Sequence, residues 1–412
     1  MSAVLAAPAA IRVFLAFASG YFMSYGLRSV NAVIAPDLIA DFGLTNAQLG
    51  SLSSAYFLAF ASVQIPLGVL LDRFGSRRVD ASLLLVAAAG CLLFAAAQSA
   101  SMLWVARALI GVGVSAALMA SLRAFRFWYA AHRQQQLTAW MLVAGSLGSL
   151  ATTVPVQMAL PWIGWRGVFA VSALLLVATS AAIFLLLPPD EPVPARQHGE
   201  SSWSAYRIVF SDRYFWRFGV VSLTVQASFV AFQGLWIGPW LRRVLGMGAD
   251  EAAQALFVFN LVLMLGYLGL GLVLPHFIRR GWSTLRVVAV ATAAMLVLES
   301  AIALSDGSWA WILWLALAIA ATCHTMSQTH VSLSFPERLT GRAFTAYNLL
   351  TMGGMFVTQW LFGVAVDAFG GADAEHGFRR AMLAWVALQS VALAVLVFWR
   401  VQPREGAAVR VG

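Results

Sequence analysis

Long uncharged runs dominate the pattern of hydrophobic and polar positions along the chain. Residues 81–97, 174–188 and 309–323 carry no charge, and each run is close to the ~20 residues that cross the ~30 Å hydrocarbon core of a bilayer. Only helices satisfy their own backbone hydrogen bonds over such a run in lipid, and the alternation of a β-barrel is absent, so the pattern predicts an all-α membrane protein. We predict twelve transmembrane helices, near residues 11–34, 47–71, 79–98, 101–122, 137–159, 165–187, 214–240, 252–274, 283–304, 309–331, 342–366 and 379–399.

One long polar segment, residues 188–213, separates these spans into two groups of six. It contains four prolines and mixed charges, which is typical of an inter-domain linker. Pro36 follows the first span and Pro239 lies at the end of the seventh, a weak sign that the two groups are repeats. We therefore predict two pseudo-symmetric six-helix bundles, 1–187 and 214–412, joined by a cytoplasmic linker.

The charge distribution predicts the orientation of the chain. Hydrophobic residues make up 61% of the sequence and charged residues 10%, which excludes an ordinary cytosolic enzyme. All 26 basic residues are Arg and most of them fall in alternate loops. The net charge of +9 therefore reflects orientation and does not indicate a nucleic-acid partner. The positive-inside rule places both termini in the cytoplasm of a bacterial inner membrane, and the uncharged start of the chain predicts that the first apolar run is kept as a helix.

The loop after the second span carries the most specific motif. Residues 68–78 read G-V-L-L-D-R-F-G-S-R-R, which resembles the signature G-x-L-x-D-R-x-G-x-R-R of the major facilitator superfamily of secondary transporters. The matching residues are Gly68, Asp72, Arg73, Gly75, Arg77 and Arg78. The resemblance implies the superfamily's fold and a cytoplasmic latch, in which Asp72 acts as a conformational switch and not as a ligand of the solute.

Arg107, in the fourth predicted span, begins a second stretch that resembles the superfamily. Arg107, Gly111 and Gly113 fit the pattern R-x-x-x-G-x-G, and the resemblance implies a role in conformational or proton coupling. An arginine inside the bilayer is costly and should face the bundle interior. The alternative is an anchor at the outer interface, because Arg107 lies close to the start of its span.

Arg28, well inside the first span, is the main candidate for binding the solute. It is flanked by Tyr25 and Asn31, and it needs either an acid from another helix or an anion as its partner. Because acids are scarce in the spans, we expect a carboxylate-bearing solute. The alternative is a structural arginine bonded to backbone carbonyls. Residues 21–36 also resemble the organophosphate:phosphate antiporter branch, but Ala231 stands where that branch has its second arginine, which favours a singly charged or carboxylate-bearing solute over a phosphate monoester.

Further polar candidates lie in the second group of spans. Gln233 and Trp236 of the seventh span and His324 and Gln328 of the tenth could bind the solute. His324 and Gln328 are four residues apart, so on a regular helix they share a face. A histidine titrates near neutral pH, so His324 could also carry a coupled proton. Glu299, in the ninth span, is its rival for this role.

The remaining motifs narrow the class of function. No cluster of cysteine, histidine or acidic residues indicates an enzyme or a metal site, and no phosphate-binding loop indicates an ATP-driven pump or another cofactor. We expect a monomeric secondary transporter in the lipid bilayer that takes up a small organic anion with H⁺ by alternating access. Proton-coupled efflux of hydrophobic or cationic compounds is the first alternative, although the glycine–proline step typical of the exporters' fifth span is missing. A transporter-like sensor or scaffold is the second, although the tail 401–412 is short.

Overall fold

The computed structural model describes residues 7–130, 133–188, 202–370 and 373–402. In this described part the chain forms helices joined by short turns, and it contains no strands. Eleven helical segments of the described part are long and apolar enough to cross a membrane, and the shorter apolar helix Gln136–Ala151 lies where the fifth span is predicted. The prediction of an all-α, multi-pass membrane protein is therefore confirmed, while the described residues contain eleven such long helices, so the count of twelve stays a prediction.

The helices group into two units, each with its own packed interior. One unit contains Met1–Leu44 and Ser51–Arg196, and the other contains Thr45–Gly50 and Gln197–Gly412. The first turn of one long helix, which starts at Asn46, thus groups with the second unit although the rest of that helix belongs to the first.

Two glycines divide long helices of the first unit. Gly75 has φ 80° and Gly164 has φ 63°, a left-handed backbone conformation that favours glycine because it lacks a Cβ atom. Each glycine therefore marks a sharp turn between two straight helical parts. The helices of this unit are α1 Ala7–Ser29, α2 Asn31–Phe42, α3 Asn46–Ala95, α4 Ala100–Gly113, α5 Ala117–Trp128, α6 Gln134–Ala151 and α7 Val154–Leu186.

Close backbone contacts at glycines hold the first unit together. A Cβ atom built on Gly148 of α6 would lie 2.1 Å from the carbonyl oxygen of Phe22 in α1, and one on Gly111 of α4 would lie 2.3 Å from that of Tyr56 in α3. In lipid, where helices gain little from hydrophobic burial against each other, such close approach supplies the dispersion contacts that hold them together.

The second unit contains a span with irregular turns. Arg213–Arg243 is one apolar segment, but wider π turns at Ser222–Gln226 and Phe232–Trp236 interrupt it. Such turns re-aim side chains along a helix and are frequent at functional sites. The helices are α8 Ser202–Phe210, α9 Arg213–Val221, α10 Ala227–Ala231, α11 Ile237–Arg243, α12 Ala249–Arg279, α13 Thr284–Leu304, α14 Trp311–Thr322, α15 Thr325–Leu333, α16 Glu337–Gly370 and α17 Ala374–Phe398, with a 3₁₀ turn at Ser308–Ala310.

An aromatic cluster forms one part of the core of the second unit. The ring of Trp236 lies 5.2 Å from Phe362 and 5.9 Å from Phe378 between centroids, and Trp240 lies 5.9 Å from Trp314 and 6.0 Å from Phe378. Three of these four pairs are edge-to-face, an arrangement that stabilises beyond simple burial. The irregular seventh span is therefore anchored by its tryptophans.

Candidate functional site

Arg28 lies near the end of α1 and stacks on a tyrosine one turn earlier. Its guanidinium carbon is 3.8 Å from the centroid of the Tyr25 ring, and both side chains are half-buried. A guanidinium over an aromatic ring is held by attraction to the electron-rich face, and its N–H groups extend around the edge of the stack. Such an arrangement can present a fork of donors to a carboxylate.

Arg107 binds the backbone next to Arg28. The Nη1 atom of Arg107 donates a hydrogen bond to the carbonyl oxygen of Leu27 at 2.8 Å, and the side chain is 1% exposed. Its guanidinium carbon is also 5.3 Å from the ring centroid of Tyr56. The Tyr56 hydroxyl in turn donates to the carbonyl oxygen of Ser24 at 3.2 Å. Helices α3 and α4 thus both bind the backbone of α1 within one turn of Arg28.

Two further hydrogen bonds fix the junction between α1 and α2. The hydroxyls of Ser29 and Ser149 lie 3.0 Å apart, and the Nδ2 atom of Asn31 donates to Oγ of Ser53 at 2.7 Å. All four residues are buried. Asn31 therefore serves as a brace to α3 through its amide nitrogen, while its Oδ1 atom is buried without a partner.

The electrostatics of this cluster favour an anion. Both Arg28 and Arg107 lie close enough to interact with the Tyr56 hydroxyl by charge. Two guanidinium groups near one phenol, in an apolar bundle, raise the local positive potential more than the same charges would in water. The residues in this first-unit cluster can therefore attract and bind a carboxylate or sulfonate.

The latch motif forms a turn and a contact with α7. Gly75 makes the turn, and the Nε atom of Arg77 donates to the carbonyl oxygen of Phe184 at 2.7 Å, with the guanidinium carbon 4.7 Å from the Phe184 ring centroid. Arg77 thus ties the start of one helix of the first unit to the end of another.

The other motif residues differ in their surroundings. The guanidinium carbon of Arg73 is 5.1 Å from the ring centroid of Phe74, and Arg78 is exposed. The space where a Cβ atom of Gly68 would lie is open. The side chain of Asp72 lies outside the described residues, so its predicted switch role stays a prediction.

In the second unit, Gln233 binds a neighbouring span and Trp236 belongs to the aromatic core. The Nε2 atom of Gln233 donates to Oδ1 of Asn260 at 2.9 Å, and the Nδ2 atom of Asn260 donates to the carbonyl oxygen of Leu256 at 2.8 Å. Trp236 is 1% exposed, and its Nε1 atom is buried without a partner. Both residues brace the irregular part of the seventh span.

His324 and Gln328 contact different helices. A turn at Cys323–His324 separates α14 from α15. The Nε2 atom of His324 lies 3.4 Å from the hydroxyl of Thr292 in α13, whereas the Nε2 atom of Gln328 donates to the carbonyl oxygen of Phe344 in α16 at 3.2 Å. The two residues therefore bond to different helices, and their joint role in binding stays a prediction.

Glu299 is buried within the second unit. It is 0% exposed, and its Oε2 atom accepts a hydrogen bond from Nε2 of Gln389 in α17 at 3.0 Å. Its Oε1 atom is buried without a partner. A buried carboxyl group is costly to ionise, and the cost rises when one of its oxygens has no hydrogen-bond partner.

Asp80 is a buried acid that the sequence reasoning missed. It is 0% exposed, and neither carboxyl oxygen has a partner; Ser76, one turn earlier, is likewise buried with its hydroxyl unpaired. Asp80 is the second residue of the predicted third span and follows Arg77 and Arg78 closely. Its spacing of four from Ser76 places both side chains on one face of a helix, which is the signal in the sequence that could have shown the pair.

The described residues contain no group of three or more histidine, cysteine, aspartate or glutamate side chains that could hold a metal ion. Together, the apolar helices and the buried arginine cluster define a multi-pass membrane protein with a polar site inside a helical bundle. The sequence model of the Major Facilitator Superfamily matches residues 17–359, and the chain belongs to this superfamily. It is a membrane transporter and not an enzyme.

Several relatives of this chain are named as transporters of organic anions. A probable sulfoacetate transporter of Cupriavidus necator is 28% identical over 398 residues, which cover 90% of each chain. A gentisate transporter of Corynebacterium glutamicum is 26% identical over 56% of this chain and 52% of its own length. A hexuronate transporter of Escherichia coli is 24% identical over 66% of each.

Solved structures share the fold. A bacterial homolog of the human lysosomal transporter Spinster has a TM-score of 0.78 at 18% identity, covering 97% of this chain and 100% of that one. A D-xylose-proton symporter has a TM-score of 0.76 at 15% identity, covering 97% and 99%. At such low identity these likenesses bear on the fold alone.

Proposed function

We propose that this protein transports a small organic anion by alternating access, and that Arg28 binds the anionic group of the solute. The stack of Arg28 on Tyr25, beside the buried Arg107, is the observation that carries the proposal. The names of the relatives agree with it, because sulfoacetate, gentisate and hexuronates all bear a carboxylate.

The proposed architecture has twelve spans. Gln136–Ala151 is too short alone, but the first part of α7, before the break at Gly164, continues it to a full span. The two bundles are then 1–187 and 214–412, with 188–213 as the linker. The distribution of arginines supports cytoplasmic termini in an inner membrane, and we propose that the chain works as a monomer.

We further propose that transport is coupled to protons. Glu299 and His324 are the candidates for the coupled proton, because each is buried with one polar atom that has no partner. Arg107 contributes through its bond to the α1 backbone. The motif residues Arg73 and Arg77, with Asp72, would form the cytoplasmic latch.

Binding can be tested by thermal unfolding of detergent-purified protein with sulfoacetate, gentisate and glucuronate. A ligand at about 100 times its Kd stabilises the folded state by ~2.7 kcal/mol. We expect anions to raise the melting temperature of the wild type and of Arg166→Ala, but not of Arg28→Ala. Arg166 is a suitable control because it is an exposed arginine paired with Asp41, outside the cluster.

Neutral xylose and cationic choline complete the set of probes. If only choline or hydrophobic cations stabilise the protein, and Arg28→Ala responds as the wild type does, the anion proposal is wrong and proton-coupled efflux takes its place. If the anions stabilise the wild type and Arg28→Ala equally, Arg28 is not the binding residue.

A further inference from the structure

Tyr25 is packed between two features of the first unit. The guanidinium carbon of Arg28 lies 3.8 Å from the ring centroid of Tyr25. A Cβ atom built on Gly145 of α6 would lie 3.1 Å from Cγ and from Cδ2 of the same ring. It would also lie 2.9 Å from Cε1 of Tyr21, whose ring centroid is 4.8 Å from that of Tyr25. The Tyr25 ring under Arg28 thus packs against Gly145, where the side chain of a larger residue would come too close to the ring.

The backbones of α1 and α6 pack closely beside Gly145. One turn from Gly145, the Cβ position of Gly148 lies 2.1 Å from the carbonyl oxygen of Phe22, so the backbones of α1 and α6 are already in contact. A Cβ atom built on Gly26 of α1 would likewise lie 3.3 Å from the carbonyl oxygen of Gly148. A methyl group at position 145 must therefore either displace the tyrosine rings or separate α1 from α6 next to their closest contact at Gly148.

The stack determines how Arg28 can bind a solute. A free arginine side chain loses much rotamer freedom when it forms a fork with a carboxylate. A guanidinium already held on a ring has lost part of that freedom before the solute arrives, which raises affinity through preorganisation. In this arrangement the aromatic face of Tyr25 holds the guanidinium of Arg28, and the Tyr25 hydroxyl is not required.

We infer that Tyr25 is a positioning residue that acts on the transported anion through Arg28, and that Gly145 holds the Tyr25 ring in place. The inference rests on the proposed role of Arg28 in anion binding. It assigns Gly145 a function and changes that of Tyr25 from a ligand of the solute to a support of Arg28.

The test separates the ring of Tyr25 from its hydroxyl. Sulfoacetate uptake is measured in proteoliposomes for wild type, Tyr25→Phe, Tyr25→Leu, Gly145→Ala and Arg28→Ala. We expect Tyr25→Phe to match the wild type, while Tyr25→Leu and Gly145→Ala raise KM about tenfold with little change in maximal rate, the size expected from loss of a partly desolvated cation–π contact.

Gly353→Ala is the matched control for adding a methyl group to a membrane helix, because the space around its Cβ position is open. It should leave KM unchanged. A double-mutant cycle adds a second test: in an Arg28→Lys background, Tyr25→Leu should raise KM much less, since a lysine does not stack in the same way. If a variant transports too slowly for its KM to be measured, the cycle is read from the shift in melting temperature that sulfoacetate causes.

Each other outcome overturns the inference in a different way. If Tyr25→Phe raises KM as much as Tyr25→Leu, the hydroxyl binds the solute and Tyr25 is a ligand. If Tyr25→Leu and Gly145→Ala leave KM unchanged while Arg28→Ala abolishes binding, Arg28 is positioned by other contacts and the proposed function stands. If Arg28→Ala transports sulfoacetate as well as the wild type, the proposed role of Arg28 in anion binding is wrong.

Discussion

The Asp367 carboxylate caps the first turn of α3 through Asn46. Its Oδ1 atom accepts hydrogen bonds from the backbone nitrogen of Asn46 at 3.2 Å and from the Nδ2 atom of Asn46 at 2.7 Å. Its Oδ2 atom accepts from the backbone nitrogen of Ala47 at 2.7 Å, and Arg243 donates to Oδ1 of Asn46 at 2.8 Å. A carboxylate at a helix N-terminus satisfies unpaired N–H groups and opposes the positive end of the helix dipole.

We expect Asp367→Asn to destabilise the protein by ~1 kcal/mol, because the amide loses the negative charge and one acceptor oxygen. Thermal unfolding in detergent measures the effect. Asp373→Asn is a matched control, since Asp373 is also an exposed cap, and its hydrogen bonds to His376 lie within the helix that it begins. Equal melting temperatures for Asp367→Asn and the wild type would show that the cap does not contribute to stability.

The pH dependence of stability should reveal the environment of Asp41. The Trp165 indole N–H and the Arg166 guanidinium lower the pKa of the Asp41 carboxyl below its usual 3.8. Because the folded-state pKa lies below the unfolded value, the contribution is present above the unfolded pKa and is lost as the pH falls through the folded pKa.

In a series of melting curves from pH 6 to pH 3, Asp41→Asn should therefore lose less stability towards the acid end than the wild type does. The difference should be under ~1 kcal/mol, because the ion pair is largely exposed. Parallel pH profiles for the two proteins would contradict the pairing of Asp41 with Trp165 and Arg166.

Gly75 should tolerate no larger residue. Its φ of 80° lies in a region where an L-residue with a Cβ atom is strained, so we expect Gly75→Ala to lower the free energy of unfolding by ~1–2 kcal/mol. Gly353→Ala should be neutral or slightly stabilising, because Gly353 lies in α16 with open space around it and alanine favours helices. Thermal unfolding of both variants checks the contrast, and equal effects would show that backbone strain is not the cause.

The apolar helices and the turn at Gly75 could be predicted because lipid and local backbone geometry impose them. The partners of the polar side chains could not, because they depend on tertiary packing. The sequence does not show that Arg107 binds the carbonyl oxygen of Leu27. Nor does it show that His324 and Gln328 bond to different helices. The complete burial of Glu299 and its hydrogen bond from Gln389 likewise depend on the packing of α13 against α17.

Glu299→Gln should separate proton coupling from solute movement. Glutamine keeps the volume of the side chain and still offers an acceptor to Gln389, so the fold should be retained, whereas Glu299→Ala leaves the amide of Gln389 unpaired at a cost of about 1–3 kcal/mol. If Glu299 carries the coupled proton, Glu299→Gln proteoliposomes should exchange sulfoacetate down its own gradient at a rate near that of the wild type. They should fail to accumulate it when only a pH gradient is imposed. His324→Gln, which removes the rival proton carrier, should accumulate sulfoacetate normally; the reverse pattern would assign the proton to His324, and accumulation by both variants would place it on another group such as Asp80.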